Sequence, residues 1–139
     1  VIEHAEDPEQ FIQEMARVLK RENTLLLTVP WSARRHYIPH DYHRFTRERL
    51  GILLDQSGFD EIQITERGSD IGAIANKLTV LTLRLLHPEK PFDWIWTLPL
   101  SLVCLPLASR FLVAAHCADA LGKGGEEDPL GYFVSGRQA

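Results

Sequence analysis

Cysteine is scarce in this chain. Only Cys104 and Cys117 occur, both in apolar surroundings. Two isolated thiols of that kind give no disulfide framework and read as core residues of a protein kept reduced, which points to the cytoplasm. A basic excess is also missing. The formal net charge is −4, so there is no electrostatic case for a nucleic-acid partner. No internal repeat, low-complexity tract or secretory signal is visible. A starting methionine is absent as well. The chain opens on Val1-Ile2 and runs straight into Glu3-His4 and a capped helix, as a buried strand would end if its earlier residues were left off. What is present, 45% apolar and 24% charged residues, is the mix of a globular protein.

Asp7-Pro8-Glu9-Gln10 is a compact helix start, with Asp7 as cap and Pro8 at the first helical position. Phe11, Ile12, Met15, Val18 and Leu19 follow at the spacing of one helical face. Asn23 then suits a left-handed turn. The run Thr24 to Val29 is apolar and does not alternate, which predicts a strand buried on both faces and ended by Pro30. Residues 31–45 are a polar and aromatic loop. Thr46 caps a second helix whose buried stripe is Leu50, Leu53 and Leu54, and Gly58 supplies its left-handed end, with Phe59 packing back on Leu54. Ile62 and Ile64 mark a strand over residues 60–66. Strand, helix, strand, helix, strand is the order of an α/β fold with a parallel sheet.

After Gly68 the character changes. Ile71, Ile74, Ala75, Leu78 and Leu81 mark a long helix that stops near His87-Pro88. The sixteen residues from Trp94 to Ser109 carry no charge. A membrane span needs roughly 20, and Pro99 and Pro106 interrupt the run. An apolar lid or a membrane-interface segment, with Trp94 and Trp96 as headgroup anchors, stands beside an ordinary buried helix pair and beside a true span continued to Ala115. Tyr132 to Ser135 reads as a last strand.

Taken in order, "VIEHAEDPEQFIQEMARVLKRENTLLLTVP", "HDYHRFT" and "LLDQSGF" resemble the C-terminal half of class I S-adenosylmethionine-dependent methyltransferases of the type 11-like kind. Glu22-Asn23 stands where that family usually has Gly-Gly. The resemblance implies an α/β fold: the C-terminal half of a Rossmann-like methyltransferase sheet, strands five, six and seven, with a helical, apolar insertion. Val1-Ile2 would be the tail of strand four, residues 24–29 strand five and residues 60–66 strand six. Residues 131–136 would be strand seven, antiparallel and inserted between five and six. Residues 1–68 and 129–139 then belong to the methyltransferase domain, and residues 69–128 to the insertion, a lid or membrane-interface segment. The resemblance also implies S-adenosylmethionine as cofactor, although the glycine-rich loop and the ribose-binding acid that hold it are not in this chain. The expectation is therefore a fragment, inactive alone, of an S-adenosylmethionine-dependent methyltransferase.

Glu3 and His4 would border the methionine end of the cofactor, making them the cofactor-binding candidates. Where the acceptor is a hydroxyl a base must take its proton, and His4 is the catalytic candidate. In the loop, Asp41, Tyr42 and Arg44 would orient a polar acceptor, with Arg34 or Arg35 for an anionic group. The structural alternative is that Asp41 pairs with Arg44 and that Tyr42 and Phe45 pin the loop. His36, His40 and His43 have neither cysteine nor a carboxylate cluster beside them, so no metal site is expected. The acceptor is expected to be a small, lipid-linked or glycan-like molecule. Peripheral membrane contact falls to residues 92–115, at the inner face of a membrane. Two other functions stay open: a membrane-associated helical interaction module, and a metal-dependent hydrolase using the loop histidines.

Overall fold

A computed structural model describes residues 1–138, which fall into two compact units: Val1–Arg67 together with the stretch from Leu130, and Gly68–Pro129. The first unit is mixed α/β. It opens on a 3₁₀ turn, Ile2–His4, closed by the amides of His4 and Ala5 donating to the carbonyls of Val1 and Ile2. The expected strand tail at Val1-Ile2 is therefore a turn, because those hydrogen bonds bend the backbone at once.

Helix α1, Pro8–Val18, begins as its cap predicts, with the Asp7 carboxylate accepting from the Gln10 amide. The turn that follows places Glu22, not Asn23, at positive φ. Its amide donates to the Gln138 carbonyl and its carboxylate pairs with Arg137, so contacts with the far end of the chain select the conformation. Strand β1, Thr24–Pro30, follows. Helix α2, Arg47–Gln56, is capped by Thr46 and buries Leu50, Leu53 and Leu54. Gly58, at φ 83°, turns the chain into strand β2, Phe59–Arg67. Strand β3, Gly131–Gln138, completes the sheet.

The sheet order is β1-β3-β2. Strand β3 runs antiparallel to both neighbours, so β1 and β2 are parallel to one another. Gly131 faces Pro30 on one side and Arg67 on the other, which brings the carboxyl ends of β1 and β2 to the same edge. That edge is tied by the Trp31 and Ser32 amides donating to the Leu130 carbonyl and by the Leu130 amide donating to Arg67. Helices α1 and α2 pack their apolar stripes with Leu27, Val29, Tyr132 and Val134 into one core. Strand β1 is not buried on both faces as expected: Leu27 and Val29 point into the core, while Leu26 is 64% exposed. The outward face is Thr24, Leu26 and Thr28, and only the face of Leu25, Leu27 and Val29 meets the core of this unit.

The second unit is a helical hairpin of α3, Asp70–Leu85, and α4, Trp94–Ala120, with a 3₁₀ turn at Pro91–Asp93 between them. Helix α4 runs unbroken through Pro99 and Pro106, contrary to the expectation that they interrupt it. Each proline removes one backbone donor, yet the buried stripe Thr97, Ser101, Cys104, Ala108 and Ala115 continues across both and holds the helix in line. Helix α3 buries Ala73, Ala75, Thr82 and Leu85, whereas Ile74, one of the apolar residues that mark the helix in the sequence, is exposed. Small side chains let two helices approach closely, and Ala73 and Ala75 of α3 with Ser101, Cys104, Ala108 and Ala115 of α4 make up most of the buried residues of the pair. Cys104 lies buried on this seam, while Cys117, read from the sequence as a core residue, is exposed beyond it.

Candidate functional site

The loop 31–45 leaves the carboxyl end of β1 and folds back over the first 3₁₀ turn. The amides of Tyr42 and His43 both donate to the Glu3 carbonyl, at 2.9 and 3.2 Å, and fix the loop by main chain alone. His4 is then held from the other side, because its Nδ1 donates to the His40 carbonyl at 2.6 Å. A carbonyl can only accept, so the proton of a neutral His4 ring sits on Nδ1 and the Nε2 lone pair is free.

That Nε2 lies 3.4 Å from Glu3 Oε1. His36 reaches the same oxygen, with its Nε2 at 3.7 Å, while its own Nδ1 donates to the Arg34 carbonyl at 3.2 Å. The two imidazoles meet edge to face, with centroids 4.8 Å apart. Glu3 is buried, which opposes its ionisation. The Val1 ammonium at 2.5 Å, a backbone amide and the neighbouring His4 outweigh that, and its carboxyl titrates below the ordinary value. Glu3, His4 and His36 thus offer three ligand atoms within 4.8 Å of one another. The three loop histidines do not form a group of their own. His40 donates to the Tyr42 hydroxyl at 2.9 Å, which in turn donates to Glu6 at 3.0 Å, and His43 packs on Phe45.

Asp41 and Arg44 form a bidentate pair at 2.7 and 2.9 Å. The Arg44 hydrogen bonds, helped by the His36 amide, hold the Asp41 carboxyl well below the usual carboxylate range, and Asp41 in turn raises Arg44. Arg44 gives its remaining contacts to the carbonyls of His43 and Arg34. Glu6 raises the Tyr42 hydroxyl through their hydrogen bond. Ala33, Arg35, Asp41, Tyr42, His43 and Arg44 line a pocket of about 310 Å³. Arg34 and Arg35 are exposed, and among the described residues their guanidinium groups have no ion-pair partner. The cation with donors to offer at this pocket is therefore Arg35, and Arg44 is occupied in shaping it.

Sequence reasoning placed Glu3 with His4 and grouped His36 with His40 and His43. It missed that His36 turns towards Glu3, and that Glu6 supports Tyr42. No spacing rule joins residues on opposite sides of a strand–helix unit. The only available signal was that both segments were assigned to the same sheet edge.

No protein-family model matches the sequence, and no curated protein matches it. Among solved structures, Haemonchus contortus Phospholethanolamine N-methyltransferase 2, in complex with phosphomonomethylethanolamine and S-adenosylhomocysteine, is similar at a TM-score of 0.47 and 16% identity. The match covers 99% of this chain and 31% of that one, so the chain spans about a third of its length. A likeness that distant fixes neither fold nor function.

Proposed function

We propose that this chain is the C-terminal part of an S-adenosylmethionine-dependent methyltransferase, with its acceptor held between the Ile2–His4 turn and the 31–45 loop. The observation that carries the reading is the sheet order, an antiparallel β3 between parallel β1 and β2. In an open α/β sheet, ligands lie beyond the carboxyl ends of the strands, and the Glu3–His4–His36 cluster and the pocket both belong to segments that meet at that edge.

The cofactor would supply an electrophilic methyl group. Glu3 and His4 would border its methyl-bearing end, and the residues that would hold its adenosine are not among those of this chain. Methyl transfer is an in-line displacement, so the protein's part is alignment and activation of the acceptor. His4 acts on the acceptor's nucleophilic atom. Tyr42 and Arg35 bind the acceptor's polar and anionic groups, while Asp41 and Arg44 keep the loop in shape.

We further take the acceptor to be lipid-linked, on the strength of α4. The segment Pro91–Ala120 is long and apolar enough to cross a membrane by length and composition, and Ile95, Leu102 and Val103 on it are each more than 60% exposed. Its charge-free stretch of sixteen residues spans about 24 Å as a helix, short of a hydrocarbon core of about 30 Å. Contact with one leaflet, anchored by Trp94 and Trp96, accounts for that length better than a full span does.

The test uses the parent protein carrying this segment. It should bind S-adenosylmethionine in a calorimetric titration, and Arg35→Ala should raise the acceptor KM while leaving cofactor affinity unchanged. A parent without cofactor binding would sink the reading. The lipid-linked acceptor has its own check: this chain should co-sediment with anionic phosphatidylglycerol vesicles, and α4 substituted at Leu102 and Val103 by Glu should not.

A further inference from the structure

Both histidines of the cluster spend their Nδ1 proton on a backbone carbonyl, the His40 carbonyl for His4 and the Arg34 carbonyl for His36. Each neutral ring therefore turns a bare Nε2 towards the same buried carboxylate oxygen, at 3.4 and 3.7 Å. The Val1 ammonium lies on the other oxygen of this carboxylate at 2.5 Å, so the oxygen beside the two imidazoles keeps a face that a cation can share with them. Outer hydrogen bonds from Nδ1 to carbonyl groups are also how metal-binding imidazoles are oriented and made better donors.

We propose that Glu3 Oε1, His4 Nε2 and His36 Nε2 bind one divalent first-row transition ion of the zinc class. Two imidazoles and one carboxylate suit such an ion, and three protein ligands leave a position open for an acceptor oxygen. Bond lengths near 2.0–2.1 Å set tetrahedral ligands about 3.3 Å apart. The two separations from Glu3 Oε1 match that spacing to within a few tenths of an ångström, the group as a whole spans up to 4.8 Å, and closing it falls to the exposed loop that carries His36.

Metal binding itself stands apart from the methyltransferase reading; what the ion would do rests on it. The ion would make an acceptor hydroxyl bound to it more acidic, so that its proton passes to water; the oxygen would then take the cofactor's methyl group while the carbon–sulfur electron pair stays on the departing thioether sulfur. His4 then activates the acceptor as a ligand and not as a free base.

The experiment is titration of this chain, first stripped with chelator, with Co²⁺ followed by its visible absorption, and with Zn²⁺ by calorimetry. The expected result is one ion per chain with micromolar or tighter affinity and cobalt bands of a nitrogen- and oxygen-liganded site. His36→Ala and Glu3→Gln should each weaken binding at least tenfold, and His116→Ala, in the other unit, should not. His36 is exposed, so its loss leaves the core intact; a thermal-shift measurement checks Glu3→Gln. No cobalt binding below millimolar concentration, or binding that survives both substitutions in folded protein, overturns the proposal. If the parent fails to bind S-adenosylmethionine while Co²⁺ binding persists, the methyltransferase reading falls and the metal site stands.

Discussion

Gly131→Ala probes the feature on which the functional reading depends. Gly131 faces Pro30 of β1 and Arg67 of β2 in register. A Cβ built there would overlap the Val29 carbonyl oxygen and stand 3.2 Å from Pro30 Cα and 3.3 Å from the Val29 carbonyl carbon. All three are backbone atoms, which have no rotamer to escape into. Carbon atoms sit comfortably at about 3.5–4.0 Å, so the start of β3 must move away from β1. That movement strains the Trp31 and Ser32 amides, which both donate to Leu130. Overpacking costs about 1–3 kcal/mol, and each weakened hydrogen bond about 0.5–1.5 kcal/mol. Replacing glycine in a strand returns roughly 0.5–1 kcal/mol. The expected net loss is about 1–5 kcal/mol, a large share of an ordinary domain's stability of roughly 5–15 kcal/mol. Urea denaturation followed by circular dichroism reads the loss, and hydrogen exchange at the amides of β1 locates it. Gly122→Ala is the control for a glycine whose need is conformational, since φ is 61° and its Cβ would meet nothing within 4 Å. If Gly131→Ala costs under about 0.5 kcal/mol and leaves β1 exchange unchanged, β3 does not lie against β1 as described, and the strand order no longer supports the function.

Two further outcomes follow from the same structure. The Asp41 carboxyl titrates lower in the folded protein than unfolded, so its contribution is complete above the ordinary carboxylate value and is lost only as pH falls through the depressed one. The carboxyl carbon of Asp41, whose oxygen accepts the His36 amide at 2.9 Å, should keep its NMR position from neutral pH down to about pH 4 and shift only below that, and Asp41→Asn should displace the His36 amide resonance at neutral pH. A carboxyl carbon that titrates at the ordinary value, or an amide indifferent to the substitution, would mean the loop is not held by Asp41. Leu54 is fully buried between α2 and the sheet, and Leu54→Ala should cost about 2–5 kcal/mol, read by the same urea titration; a loss below about 1 kcal/mol would contradict the core assignment.

The helices of the first unit were legible because their signals are local. Asp7-Pro8, Thr46 and Gly58 act on their own neighbours, and the structure uses each as its chemistry predicts. What depended on distant partners was read less well. Glu22 takes the left-handed turn because Gln138 and Arg137 receive it there, and nothing within a window around Asn23 carries that information. Leu25 to Val29 read as doubly buried because every residue is apolar or Thr, but composition does not reveal which faces have helices to meet. Ile74 helped to mark α3 as a helix, but the spacing did not say which side chains face α4: Ile74 is exposed, while Ala73, Ala75, Thr82 and Leu85 are buried. The position of β3 came from the order of motifs in a resembled family. The run Tyr132–Ser135 said strand and could not say between which two.

Glu3 serves the site in two separable ways. Its carbonyl accepts the Tyr42 and His43 amides and so holds the loop, while its carboxylate faces His4 and His36. The first role belongs to the main chain and survives any substitution that keeps the turn. Glu3→Gln therefore removes the negative charge from the cluster while leaving the loop's backbone anchor in place. Arg44 is the reverse case: its guanidinium binds Asp41 and two carbonyls, so Arg44→Ala releases the loop that carries His36 while leaving the Glu3 carboxylate unchanged. Loss of metal binding in Glu3→Gln with an ordered loop, set against a disordered loop in Arg44→Ala, separates the group that performs chemistry from the group that positions it. The sequence placed both among the candidate residues, and only the hydrogen bonds tell their roles apart.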